Sequence, residues 1–177
     1  MKSTYLALLR GVNVGGKNKL PMKDLCNALS KDGFGDLRSF IQSGNLIFSA
    51  ERDSDSQSLA SAISALIEKQ FGLKIPTVIR NTAELSQVLE LNPYKNADAN
   101  LQYIMFLQHA PANELVACLD AQKSPPDEFK VQGQEIYLLL KNGAARTKLT
   151  NIYFDSKLRT ISTLPCCPNT VKTVTTK

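Results

Sequence analysis

The sequence predicts an α+β protein made of two successive β-α-β-β-α-β units, and three observations carry that reading. Apolar residues switch between near-continuous runs of strand length and helical i, i+3, i+4, i+7 spacing, in the same order twice along the chain. Gly-Gly, Ser-Gly-Asn and Gln-Gly-Gln clusters mark the turns between them. The 177 residues, 43% hydrophobic and 21% charged, are enough for two small subdomains sharing a core. They exclude wholesale disorder, collagen and a simple coiled coil.

The first strand is predicted at residues 5–9, followed by the loop Gly11-Val12-Asn13-Val14-Gly15-Gly16. Pro21 suits the first turn of a helix, whose inner face is Met22, Leu25, Cys26 and Leu29 and which Gly33 stops. Strands at 37–41 and 46–48 flank Ser43-Gly44-Asn45, a turn able to adopt positive φ, and so form a hairpin. Residues 53–56 supply N-cap candidates for a helix lined by Leu59, Ile63, Leu66, Ile67 and Phe71 and closed by Gly72. A strand at 74–79 completes a ferredoxin-like plait over residues 1–80.

The second unit, 81–177, opens with an extra helix, signalled by Asn81 and Glu84 as a reciprocal cap and ended by Asn92-Pro93. Residues 94–100 read as a long loop or linker. A strand at 103–107 follows, then a helix after Pro111 presenting Leu115, Val116 and Leu119. Strands at 128–131 and 135–140 flank Gln132-Gly133-Gln134. A helix opened by Thr147 or Thr150 runs to Leu158, and a last strand is expected around Val171. Because both faces of the first strand are apolar, each plait's helix-free face needs a cover, which predicts packing of the two halves sheet against sheet or against a second copy.

No apolar stretch approaches the roughly 20 residues of a membrane span, and the start lacks a secretory signal pattern, so a cytoplasmic protein with free thiols is expected. The net charge of +5 is concentrated at the ends: residues 1–31 carry +5, residues 141–177 carry +6 and the middle is negative. Such asymmetry steers anionic ligands or draws subunits together. His109 is the single histidine and no cysteine pair has zinc-site spacing, so no metal or cofactor is expected. Base-stacking RNA recognition lacks its aromatics, since the third strand offers only Asn45-Leu46-Ile47-Phe48.

Two loops are candidate anion sites. The first, residues 11–18, fits G-x-x-x-x-G-K except for its last position, where Asn18 replaces the Mg²⁺-binding hydroxyl. The helix also begins several residues too late for a P-loop. Two readings stay open: a looser anion-binding loop supported by Arg10, Lys17 and Lys19, or a glycine-rich connection whose turns need positive φ. The second loop, residues 142–148, feeds a helix N-terminus and carries Arg146 and Lys148.

The blocks Leu9-Arg10-Gly11-Val12-Asn13-Val14-Gly15-Gly16-Lys17-Asn18, Ile41-Gln42-Ser43-Gly44-Asn45-Leu46-Ile47-Phe48 and Lys148-Leu149-Thr150-Asn151 resemble the bacterial family labelled domain of unknown function 1697. Glu135-Ile136-Tyr137-Leu138 and Asn169-Thr170-Val171 extend the resemblance over nearly the whole chain. It implies two α/β plait subdomains and no established activity. The sequence departs from the family pattern where Cys166-Cys167-Pro168 stands in place of Arg-Asn-Trp, which alters any site built on that Arg and Trp.

The candidate ligand-binding constellation is therefore Arg10, Asn13, Gly15, Gly16, Lys17, Gln42, Ser43, Asn45, Arg146 and Lys148. The expected function is binding of a phosphate-bearing or other anionic partner, a small molecule or a nucleic acid, with the two basic loops converging. An enzyme acting on a nucleotide or phosphate ester, or a homodimeric interaction module without catalysis, are the alternatives. No catalytic residue is identified.

Overall fold

The computed structural model describes residues 2–40, 44–51, 54–164, 171, 174 and 175. It divides into two compact units, Met1–Gln87 with Asn169–Lys177, and Val88–Pro168.

The first unit runs β1 (Lys2–Leu9), α1 (Met22–Lys31), β2 (Gly35–Phe40), β3 (Asn45–Glu51), α2 (Ser56–Phe71) and β4 (Thr77–Asn81). Its antiparallel sheet has the order β2-β3-β1-β4, the plait topology read from the sequence. Tyr5, Ala7 and Leu9 on one face of β1, with Leu46 and Phe48 of β3, bury against Leu25 and Leu29 of α1 and Ile63 and Ile67 of α2. Leu6 and Leu8, which point the other way, are equally buried, so β1 has no solvent face from Tyr5 to Leu9. Asp55 caps α2 by accepting the Ser58 N–H at 2.8 Å, and Gly72 closes it in a left-handed conformation. β4 begins after Pro76 rather than at residue 74, because proline has no N–H to give the ladder with β1.

The helix α3 (Thr82–Glu90) is opened by the reciprocal cap legible in the sequence. Asn81 Oδ1 accepts the Glu84 N–H at 2.9 Å, and Glu84 Oε2 accepts the Asn81 N–H at 2.7 Å.

The second unit repeats the order with β5 (Gln102–Leu107), α4 (Asn113–Ala117), β6 (Glu128–Gln132), β7 (Glu135–Leu139), α5 (Asn151–Leu158) and β8 (Ser162–Thr163). The sheet order β6-β7-β5-β8 matches that of the first unit strand for strand. Met105, Leu107, Ile136 and Leu138 pack on Phe154 and Leu158 of α5. The helix after Pro111 is a short one of five residues, with Leu115, Val116 and Leu119 lying half-buried on this core.

One expectation is corrected. The last strand is not at Val171: residues 171, 174 and 175 are helical, with Val171 and Val174 both buried, and the Thr175 hydroxyl bonds back to the Val171 carbonyl at 3.3 Å. The closing strand is Ser162–Thr163, which pairs with Leu107 and Phe106. It is held by side chains more than by length. Asp155 Oδ1 accepts both the N–H (2.8 Å) and the hydroxyl (2.6 Å) of Ser162, and Asn151 Nδ2 donates to the Ser162 carbonyl at 3.0 Å. No described helix is long and apolar enough to cross a membrane.

Candidate anion site

The glycine-rich loop is rooted at two points. The Leu9 N–H donates to Gly44 O and the Arg10 N–H to Pro76 O, both at 2.9 Å, which ties the end of β1 to the β2–β3 turn and to the approach of β4. Val12 and Leu20 are buried and pin both arms of the loop to the core. Between them the chain makes a miniature hairpin in which Val14 bridges Lys17, and the Lys17 N–H donates to Val14 O at 3.1 Å. Gly15 (φ +59°) and Gly16 (φ +76°) occupy its two central positions, the left-handed pair that a two-residue turn of this hand requires. The chain thus reverses where a P-loop would wrap a phosphate, and α1 begins five residues after Lys17.

The asparagines face inward. Asn13 (φ +54°) accepts the Leu20 N–H on Oδ1 and donates from Nδ2 to Leu20 O, each at 2.9 Å, clamping the loop across its width. Asn18 (φ +48°) donates from Nδ2 to Gly11 O at 3.0 Å. Both residues are therefore supports of the loop, and their left-handed backbones are ones that asparagine tolerates.

What the loop delivers is the start of α1. Its N-cap is Pro21, which provides no side-chain hydrogen bond, and the first helical donor to find a carbonyl is the Leu25 N–H on Pro21 O at 3.0 Å. The Met22, Lys23 and Asp24 N–H groups of the first turn have no acceptor among the described residues, and they sit at the positive end of the helix dipole. The start of the helix borders a cleft of about 640 Å³ lined by Asn13, Gly16, Lys19, Lys23 and Ser39, with Leu20, Pro21 and Met22 forming its apolar part. Lys17, Lys19 and Lys23 are exposed, and none of their ammonium groups has an ion-pair or hydrogen-bond partner among the described residues. The first-turn acid, Asp24, is the single carboxylate of residues 17–24.

Behind the cleft, Cys26 lies beside Ser39. Burial pushes the Cys26 thiol pKa upward, and the bonds to the Ser39 side chain and backbone only partly offset this. Brief alkylation followed by peptide mass mapping is expected to modify the exposed Cys118 at least about tenfold faster than Cys26. Equal rates would show that Cys26 is neither shielded nor shifted.

The remaining sequence-derived candidates include Gln42, Ser43, Asn45, Arg146 and Lys148. Gln42 and Ser43 lie outside the described residues, as does Cys166-Cys167-Pro168. Asn45 opens β3 opposite Leu8 and is buried at 2% exposure, and its Nδ2 has no hydrogen-bond partner among the described residues. It does not line the cleft. Arg146 and Lys148 are exposed on the second unit, in a loop that is already organised around an anion of its own. There the buried Asp127 carboxylate accepts the Asn142 N–H at 2.7 Å and the Ser124 hydroxyl at 2.9 Å. The Lys148 N–H donates to Ser124 Oγ at 3.0 Å, the Leu149 N–H to Thr147 Oγ1 at 3.1 Å, and the Arg146 and Thr147 N–H groups to Gly143 O. Thr150 itself caps α5 by accepting the Tyr153 N–H at 3.3 Å. The main-chain donors that would hold a ligand are therefore largely spent within the loop, leaving the two side-chain charges.

Of the polar residues that line the cleft, Lys19, Lys23 and Ser39 lie outside the constellation expected from the sequence, in which Lys19 enters only as support for the loop. The signal for Lys23 is the absence of Ser, Thr, Asp or Asn ahead of α1, which leaves an uncapped helix start between two lysines. His109 is exposed and its N–H donates to Thr160 Oγ1. Among the described residues, no group of three or more His, Cys, Asp or Glu is placed to hold a metal.

A family model described as protein of unknown function (DUF1697) matches residues 1–137, which includes the whole glycine-rich loop and cleft. Among solved structures, the chain is similar to that of the conserved bacterial protein SP0830 from Streptococcus pneumoniae. The TM-score is 0.71 at 19% identity, with 99% of each chain covered, a likeness of fold. No curated protein matches the chain.

Proposed function

The chain belongs to the DUF1697 family, and we propose that this member binds a phosphate-bearing or otherwise anionic small molecule in the cleft at the start of α1. One observation carries the reading: Lys19 and Lys23, neither of them ion-paired among the described residues, line the same cleft as the uncapped first turn of a ten-residue helix. Cationic side chains and free N–H groups at a helix start favour the same charge from two directions. The glycine-rich loop acts as scaffold, holding Lys19 over the cleft through the Asn13 clamp on Leu20. Binding is favoured over catalysis on a nucleotide or phosphate ester because the cleft lining offers a clamp for negative charge and no carboxylate, imidazole or thiol to act as base or nucleophile.

Calorimetric titration with inorganic phosphate, a nucleoside monophosphate and a short single-stranded oligonucleotide, each at low and high salt, tests this. Saturable binding of a small phosphate compound that weakens with salt is expected. Lys19→Glu combined with Lys23→Glu should reduce its affinity at least about tenfold. Absence of saturable binding, or an affinity the double variant leaves intact, would overturn the proposal. Binding of the oligonucleotide alone, with a steep salt dependence, would replace the small-molecule reading with contact to a nucleic-acid backbone.

A further inference from the structure

The edges of the two sheets are unequally protected. β2 breaks register between Gly35 and Arg38, with Asp36 in a left-handed conformation (φ +46°), a bulge that spoils it as a template. β4 is buried from Thr77 to Arg80, and β8 is two residues long. β6 has none of these devices. Its five residues pair with β7 in unbroken register from Glu128 opposite Leu139 to Gln132 opposite Glu135, and contain neither Pro nor Gly. Among the described residues, no backbone N–H or C=O of residues 128–132 bonds to anything beyond that ladder.

The geometry of the hairpin says which groups look outward. Gly133 and Gln134 form a two-residue turn, so Gln132 and Glu135 close the ladder as a hydrogen-bonded pair. Alternation then points the backbone of Lys130 and Glu128 toward β7, and that of Phe129 and Val131 toward the open side. The side chains divide the other way: Phe129 and Val131 pack on the core, while Glu128, one oxygen of which pairs with Lys141, and Lys130 are exposed on the opposite face.

We propose that β6 is the pairing edge of a symmetric homodimer, laid antiparallel against β6 of a second copy about a two-fold axis at Phe129. In that register the two Phe129 residues exchange N–H···O=C bonds, and Glu128 of each copy stands opposite Lys130 of the other, giving two cross-strand charge pairs. The competing register, centred on Lys130, brings two lysines face to face at the closest cross-strand spacing and is rejected by like-charge repulsion. The strand's own charge order therefore matches a second copy of itself. The ladder is short, because the Asp127 N–H is already committed to Ser124 O at 2.8 Å, so the dimer is weak and concentration-dependent.

Sedimentation velocity from micromolar to sub-millimolar protein tests this, with the mass expected to rise from 19.5 kDa toward twice that value. Lys130→Glu and Glu128→Lys should each weaken self-association about tenfold, because each turns two attractive pairs into repulsive ones. Mixed in equal amounts, the two variants should associate with each other, since every facing pair is again of opposite sign. A wild-type chain that stays at 19.5 kDa throughout would overturn the proposal. So would a dimer indifferent to Lys130→Glu, or a mixture that fails to associate.

Discussion

Gly44→Val is expected to destabilise the first unit by about 3–5 kcal/mol, enough to remove most of the stability of a marginal domain. Two independent terms add. Gly44 sits at φ +86°, a backbone that costs an ordinary L-residue about 1–2 kcal/mol and a β-branched one more. A Cβ there would also lie 3.0 Å from Leu9 Cβ, 3.2 Å from Leu9 O and 3.2 Å from Val12 Cβ. Two of these neighbours are buried side chains at the root of the glycine-rich loop, so little can give way without moving the loop itself. Gly15→Ala separates the terms. Gly15 also has positive φ, but a Cβ there meets nothing within 4 Å, so its cost should be the conformational part alone, about 1 kcal/mol. Urea melts of Gly44→Ala and Gly15→Ala measure the difference directly. If the two variants lose equal stability, the close packing of Gly44 on Leu9 and Val12 is not what fixes that glycine. Because Leu9, Gly44 and Val12 also set the path of the loop toward Lys19, Gly44→Ala should weaken anion binding even though it changes no charge.

The same residues show how far sequence reasoning reaches. The plait order is legible because each strand and helix needs its own period of apolar residues to bury one face, and that requirement leaves its mark in the chain. Turn glycines are legible because positive φ has few alternatives. Elements held by polar side chains are not. β8 has no apolar run to announce it, since its position is set by the hydrogen bonds of Ser162 to Asp155 and Asn151. Val171 misleads in the opposite direction. Its β-branched neighbourhood favours a strand, yet Val171 and Val174, three residues apart, are both buried from a helical backbone, a case of tertiary burial overriding local propensity. In the candidate site, the basic residues on the loop were visible, but the roles of Asn13 and Asn18 were not. Amides in a glycine-rich loop read equally as ligands or as internal clamps until the partners of each prong are known. Ser39 reaches the cleft from a strand distant in sequence, and no local pattern marks it.

Replacing Asp127 with Ala is expected to cost the second unit about 2–4 kcal/mol, and the loss should depend on pH. Burial alone would raise the pKa of this carboxyl. The hydrogen bonds from the Asn142 N–H, Thr147, Ser124 and the Asn142 side chain outweigh that and hold it below the ordinary carboxylate range. A carboxyl depressed in the folded state stabilises it fully above the unfolded-state pKa of about 3.9, and the contribution disappears as pH falls through the folded value. The shape-conserving Asp127→Asn isolates this charge-dependent part. Thermal melts should show its largest deficit against the wild type near neutral pH, shrinking once the solution falls below about pH 4. A deficit that stays constant down to strong acid would mean the carboxylate's charge contributes nothing. The variant also discriminates between two accounts of binding. Without Asp127 the loop of residues 142–148 loses its internal anchor while Arg146 and Lys148 remain, so a ligand held by Lys19, Lys23 and the start of α1 should bind with unchanged affinity. A loss comparable to that of the Lys19→Glu and Lys23→Glu double variant would instead make the second basic loop part of the site, as the charge at the two ends of the sequence first suggested.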